Sequence, residues 1–238
     1  MKLYDYWRSS SAWRARIVLH WKGVPFERQA VNLLGAPRSP DAGAAGGGDA
    51  AEARPRGDQY ETPFTTLNPL AQVPVLELDA AKSAGSPVRQ LAQSLAILEY
   101  LEERYPEPPL LPPDRLLRAR ARQLALMIVA GIQPLQNMST IRHVKRALGG
   151  DPTAFAQHFI GPGLAALETV AAETAGDRFL VGDSLSFADV CLVPQLYAAR
   201  RFAVDLQALP ILLRAEAACA ALPAFIAAHP DRQSDRPP

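Results

Sequence analysis

A chain of 238 residues can bury a substantial core, most readily as two packed domains. Its 25 Lys+Arg balance 24 Asp+Glu to a net charge of +1, which argues against a nucleic-acid footprint and gives no broad attraction to a membrane surface. Pro, Gly or charge interrupts every apolar window before membrane-spanning length, and Asp5 and Arg8 break the early apolar run that a secretory signal would need. Cys191 and Cys219 lie in apolar helical surroundings, so a soluble, reduced, cytoplasmic protein without a disulfide framework is expected.

The opening "MKLYDYW" alternates apolar and polar residues as a short strand does. Ser9, Ser10 and Ser11 follow at the mouth of a helix in which Trp13, Ile17 and Trp21 recur at a spacing of four. After a turn at Gly23 to Pro25, residues 27 to 33 read as a second strand, which completes a right-handed βαβ unit. Residues 36 to 57 contain fifteen Ala, Gly or Pro and no large apolar side chain, a composition expected of a mobile loop. "PFTTLNPLAQVPVLEL" predicts a short helical segment and then a strand opening at Val73-Pro74; a weaker strand is expected near 88 to 91. "LAQSLAILEYLEERYP" is a strong helix, with Leu95, Leu98 and Leu101 on its apolar face and a stop at Pro106. The proline-rich 106 to 114 then divides an α/β domain, 1 to 105, from an all-helical domain, 115 to 238.

A helix mouth exposes unpaired N–H groups and a partial positive charge, so Ser9 or Ser10 either caps the helix or donates to a bound thiolate or oxyanion. No G-x-S-x-G elbow surrounds these serines, which argues against a serine hydrolase. Val73-Pro74 is either an ordinary trans bond at a strand edge or a cis bond that exposes the Val73 backbone to a ligand. Ser94 caps its helix, or Gln93 and Ser94 receive a carboxylate and an amine. Gln133 and Asn137 share a helical face beside Pro134, as surface amides or as ligands. "SFAD" at 186 to 189 is read as a structural capping box. Arg200 and Arg201 suit a dicarboxylate or a salt bridge. His20, His143, His158 and His229 show no metal-ligand spacing with the cysteines, so no metal is assigned.

In this order the features resemble the glutathione transferase superfamily, with a thioredoxin-like N-terminal domain and an all-α C-terminal domain. "RSSSAWRARIVL" is similar to the S-S-C-x-W-R-x-R-I-x-L signature of the zeta class, the maleylacetoacetate and maleylpyruvate isomerases. "GIQPLQNMS", "FADVCLVPQLYAARRFAVDL" and "HPDRQSDRPP" resemble that class too; Ser11 stands where it usually has Cys. The resemblance implies a homodimer that uses glutathione to isomerise a maleyl diketo acid in the breakdown of aromatic compounds. It implies that Ser9 bonds the glutathione sulfur, with Ser10 and Ser11 lining the same mouth. The other glutathione contacts carry over to Gln59, the Val73 backbone, Gln93, Ser94, Gln133, Asn137, Met138 and Ser139. Arg8, Arg14 and Arg201 become candidates for the substrate carboxylates. A transferase acting on small electrophiles and a binding module without turnover are the alternative readings; retention of Ser9, Gln93, Ser94, Gln133 and Asn137 counts against the second.

Overall fold

A computed structural model describes residues 1–34, 57–79 and 85–237. The expected loop, 36 to 57, lies outside the described residues except for Gly57.

Strands β1 (Lys2–Asp5), β2 (Glu27–Ala30), β3 (Val75–Glu77) and β4 (Gln90–Ala92) form one sheet in the order β2-β1-β3-β4. β1 and β2 are parallel, with Leu3 opposite Arg28; β3 runs antiparallel to both neighbours, with Leu76 opposite Leu3 and Leu91. The thioredoxin-like arrangement expected of this half is therefore present. β2 ends at Ala30, short of the predicted Leu33, because the chain turns away after Val31 bonds to Asp5. The Val73-Pro74 bond is cis.

Helix α1 (Ser10–Trp21) connects β1 to β2, and the eight residues from Ala12 to Leu19 are all buried. Burial extends well beyond the face marked by Trp13, Ile17 and Trp21. Helix α1 packs on α3 (Ser94–Arg104) of its own half and on two helices of the other half, α7 (Phe187–Arg201) and α9 (Pro223–Ala228). Two arginines are therefore inside, and Arg16 solves its burial with acid. Its Nη1 donates to both Asp5 carboxylate oxygens at 2.7 and 2.6 Å, its Nη2 to the Trp7 carbonyl, and its Nε to the Ala228 carbonyl. Arg28 joins from β2, donating to Asp5 at 2.5 Å and to Asp235 at 2.6 Å. Asp235 in turn accepts the Trp7 N–H at 3.0 Å, so the end of the chain holds the loop just before Ser9.

A short helix, α2 (Thr62–Leu67), precedes β3; α4 (Arg115–Leu126), α5 (Met138–Ala147), α6 (Pro152–Ala171) and α8 (Pro210–Ala220) complete the helical half. Between α4 and α5 the chain runs through a wide π-type turn, Met127–Ile132, and a tight turn, Gln133–Gln136, where Pro134 supplies no N–H. The linker is held firmly: Leu110 is fully buried, and Glu102 accepts the N–H groups of Leu110 and Leu111 while pairing with Lys22. The capping box on α7 forms as read. Asp189 accepts from the Ser186 N–H and hydroxyl and from the Leu180 N–H, and burial pushes its pKa up to about 6.

Asp5→Ala leaves the buried Arg16 without a carboxylate and is expected to cost about 3–5 kcal/mol, whereas Asp235→Ala removes one of the two carboxylates that Arg28 holds and should cost roughly 1–2 kcal/mol. Thermal unfolding followed by circular dichroism compares the two. A larger loss for Asp235→Ala would reverse this ranking of the cluster.

Candidate active site

The chain folds so that several helix mouths open on one cleft. Tyr6 and Arg8 to Ser11 form one wall, Gln59, Tyr60 and Leu70 to Val73 a second, and Gln133, Gln136 to Ser139 and Arg142 with Ala198, Arg201 and Phe202 a third. A small apolar cluster of Tyr6, Trp7, Val31, Phe64, Val73 and Val75 supports the first two walls from below.

The three serines have different commitments. Ser9 is the residue capping α1, and its Oγ accepts the Ala12 N–H at 3.3 Å. It accepts there, so its own proton remains available to donate. Ser10 donates to the Pro194 carbonyl at 3.4 Å, and Ser11 donates to Gln133 Oε1 at 3.3 Å. Ser9 thus has the one uncommitted hydroxyl proton of the three. The N–H groups of Ser10 and Ser11 find no backbone acceptor among the described residues and add to the donor field of that mouth.

Gln133 and Asn137 come together, though not on one helical face: Gln133 lies in the tight turn and Asn137 ahead of α5, and Gln133 Nε2 donates to Asn137 Oδ1 at 2.7 Å. Asn137 precedes α5 without capping it by its side chain, so the first N–H groups of α5, from Met138 and Ser139, face the cleft free of that side chain. Gln59 is fixed on the opposite wall by the neighbouring Asp58, whose carboxylate accepts the Asn32 N–H at 2.9 Å and whose own N–H returns to the Asn32 carbonyl. Gly57 allows this approach, since a Cβ there would meet the Leu33 and Asn32 carbonyl oxygens at 2.6 and 2.7 Å. Gln59 donates to the Leu33 carbonyl, but its Oε1 is buried with no donor. Val73 also lines the cleft, and its backbone groups pair with no backbone partner among the described residues.

Arg8, Arg142 and Arg201 all line the cleft, no Asp or Glu does, and none of the three forms an ion pair among the described residues. Burial, and then repulsion from Arg8, pull the Arg201 pKa below its ordinary value. The neighbouring Arg200 turns away to Glu216, with both bonds at 2.5 Å.

Three sequence expectations need revision. Arg14 is no substrate contact: it is wholly buried, because α1 is enclosed on every side, and it donates to Ser94 Oγ at 3.0 Å and Gln133 Oε1 at 3.2 Å. Gln93 and Ser94 stand at the mouth of α3 but outside the lining of the cleft. Ser94 is the first helical residue rather than the cap; Gln93 precedes it at φ +68°, a backbone strain that recurs at ligand sites. Arg142 and Gln136 were missed. Arg142 lies four residues beyond Met138 and so shares its helical face, a signal available in the sequence. Gln136 forms a reciprocal amide pair with Gln195 of α7 at 3.1 and 3.0 Å, which no local pattern announces.

Two family models match the chain: the glutathione S-transferase N-terminal domain over residues 8–104 and the C-terminal domain over residues 163–224. The maleylacetoacetate isomerase of Rattus norvegicus is 41% identical over 235 residues, which is 99% of this chain and 94% of that protein. A maleylacetoacetate isomerase from Anaeromyxobacter dehalogenans 2CP-1, solved with dicarboxyethyl glutathione and citrate in its active site, is 46% identical. It superposes with a TM-score of 0.80 over 100% of this chain and 97% of its own. A bacterial maleyl pyruvate isomerase described as a zeta-class glutathione S-transferase is 36% identical, with a TM-score of 0.83 and full coverage of both chains. With likeness of that order along its whole length, the chain belongs to the zeta class of the glutathione transferases, the family of the maleylacetoacetate and maleylpyruvate isomerases.

Proposed function

We propose that this protein is a glutathione-dependent cis–trans isomerase of a maleyl diketo acid, maleylacetoacetate or maleylpyruvate. The observation that carries the reading is a cleft with three guanidinium groups, no carboxylate among the described residues and a free serine proton at a helix mouth. Such a cleft favours anions, and a diketo acid brings carboxylates and enolisable carbonyls to it.

Glutathione fits the remaining chemistry. Its peptide N–H groups suit the donorless Gln59 Oε1, and its backbone suits the unpaired backbone of Val73 as an added extended strand. Gln133, Asn137, Met138 and Ser139 would hold it from the helical side, with Gln93 and Ser94 at the neighbouring helix mouth. When bound, it supplies a sulfur nucleophile for the reversible addition that lets a double bond turn. The Ser9 proton and the N–H groups of Ser10 and Ser11 favour the ionised sulfur. Arg8 and Arg201, with Arg142 beside them, hold the substrate carboxylates and stabilise negative charge developing on the adjoining carbonyl oxygen.

The same reading takes 1 to 105 as the glutathione domain, 106 to 114 as the linker and 115 to 238 as the substrate domain. It also takes the protein as a cytoplasmic homodimer acting in the breakdown of aromatic compounds. Leu116, 80% exposed, and Leu126 leave apolar surface on α4 for self-association, which sedimentation velocity measures.

Isomerase assays with both cis substrates, with and without glutathione, test the function directly; no turnover of either would overturn it. Ser9→Ala should lower kcat/KM by about one to two decades, as expected for a lost charge-assisted hydrogen bond, and Ser11→Ala by far less. Equal losses would remove Ser9 from its assigned role.

Arg201→Ala should lower kcat/KM by roughly 10- to 100-fold while calorimetric glutathione affinity stays within about twofold. Arg200→Ala, which touches only the exposed pair with Glu216, serves as the control and should be nearly silent. An unaffected Arg201→Ala enzyme would transfer the carboxylate to Arg8 or Arg142.

A further inference from the structure

Arg14 and Arg16 stand two residues apart on one buried helix, yet only one of them has a counter-charge. Arg16 Nη1 donates to both carboxylate oxygens of Asp5. Arg14 is 0% exposed, donates to two neutral oxygens, Ser94 Oγ and Gln133 Oε1, and leaves its Nε without an acceptor. It forms no ion pair among the described residues. The titratable group that acts on it is the Cys191 thiol of α7, which burial pushes up to about 11 and so keeps neutral. A fold seldom encloses a full charge this way unless something else completes it.

What Arg14 touches shows where the completing charge would come. Gln133 Oε1 accepts both from Arg14 and from Ser11, and Gln133 and Ser11 both line the cleft. Ser94 opens α3. The guanidinium therefore lies behind the cleft wall and joins the mouths of α1, α3 and the turn before α5 through single hydrogen bonds. Among the described residues, the other ionisable side chains lining the cleft are the Tyr6 and Tyr60 phenols and the Arg8, Arg142 and Arg201 guanidinium groups, with no carboxylate.

We propose that Arg14 is a positioning residue whose charge is completed by the ionised sulfur of the bound ligand: it orients Gln133 and Ser94 and supplies fixed positive charge behind Ser11, so that the cleft prefers a thiolate to a neutral thioether. The proposal rests on the reading of the cleft as a glutathione site.

The test uses the full-length protein with Arg14→Met and Arg14→Gln, which remove the charge, and Arg14→Lys, which retains it. The pKa of the bound glutathione thiol is read from ultraviolet thiolate absorbance, and the affinities of glutathione and S-methylglutathione are measured by calorimetry. The charge-free variants should raise the bound thiol pKa by about one pH unit and reduce the glutathione preference over S-methylglutathione roughly tenfold. Arg14→Lys should keep both near the wild-type values, a rescue that a purely structural role would not produce. If one neutral variant fails to fold, the other gives the same reading. If both fail, a wild-type bound thiol pKa no lower than that of free glutathione overturns the proposal, and a lowered one that Arg14→Lys preserves supports it. A folded charge-free variant with an unchanged thiol pKa and affinity ratio overturns it alone. A wild-type protein that does not bind glutathione overturns the reading of the cleft and the proposal with it.

Discussion

Enclosing α1 on all sides is the constraint from which the rest of the architecture follows. A helix between a sheet and a second helical layer has no solvated face on which to set a charged side chain, yet Arg14 and Arg16 lie within its buried stretch. Each must find partners from other elements, and each thereby ties those elements together. Arg16 draws in Asp5 and the Trp7 and Ala228 carbonyls, hence β1, the loop before Ser9 and α9. Arg14 draws in Ser94 and Gln133, hence α3 and the turn before α5. The two halves of the chain are joined by polar groups as much as by the continuous apolar core that passes between them. Such polar contacts fix geometry more sharply than apolar packing alone, because a misplaced buried donor is costly.

Much of this was legible in the sequence, for reasons that differ by element. The βαβ unit and the helix at 94 to 104 have strong local periods, and local periods survive into the fold. Ser186 and Asp189 were readable because a capping box is satisfied within four residues. Gln133 and Asn137 were readable as a pair because they lie only four residues apart, although a tight turn and not one helical face brings them together. Arg14 was not: position in a helix mouth motif says nothing about which direction a residue faces when the helix is buried all round. The anchoring of the linker was not legible either. Its prolines announced a boundary, but Leu110 is core and Glu102 fastens the segment from eight residues away. The Gln136–Gln195 pair spans 59 residues and has no local signal at all.

Where the carboxylates go explains why one cleft is basic in a chain of nearly balanced charge. Seven helices here are ten residues or longer. Four of them have their N-terminal donors met by an acidic side chain: α4 by Asp114, α6 by Asp151, α7 by Asp189 with Ser186, and α8 by Glu168. The other three are α1, α3 and α5, which are preceded by Ser9, Gln93 and Asn137 and carry no acid in their first turns. An acid at any of these three mouths would satisfy the helix and occupy the place of an anionic ligand. Ser9 caps with one lone pair and keeps its proton, and Gln93 and Asn137 make no side-chain cap at all. The donor capacity left open at α1, α3 and α5 thus converges on the region that Arg14 links, while Arg8, Arg142 and Arg201 add charge to the cleft itself. The mouths of α3 and α5, which their own preceding residues do not cap, give up stability that capping would contribute, about 1 kcal/mol apiece. At α5, whose first residues line the cleft, the uncapped mouth leaves preorganised donors that need no rearrangement when an anion arrives.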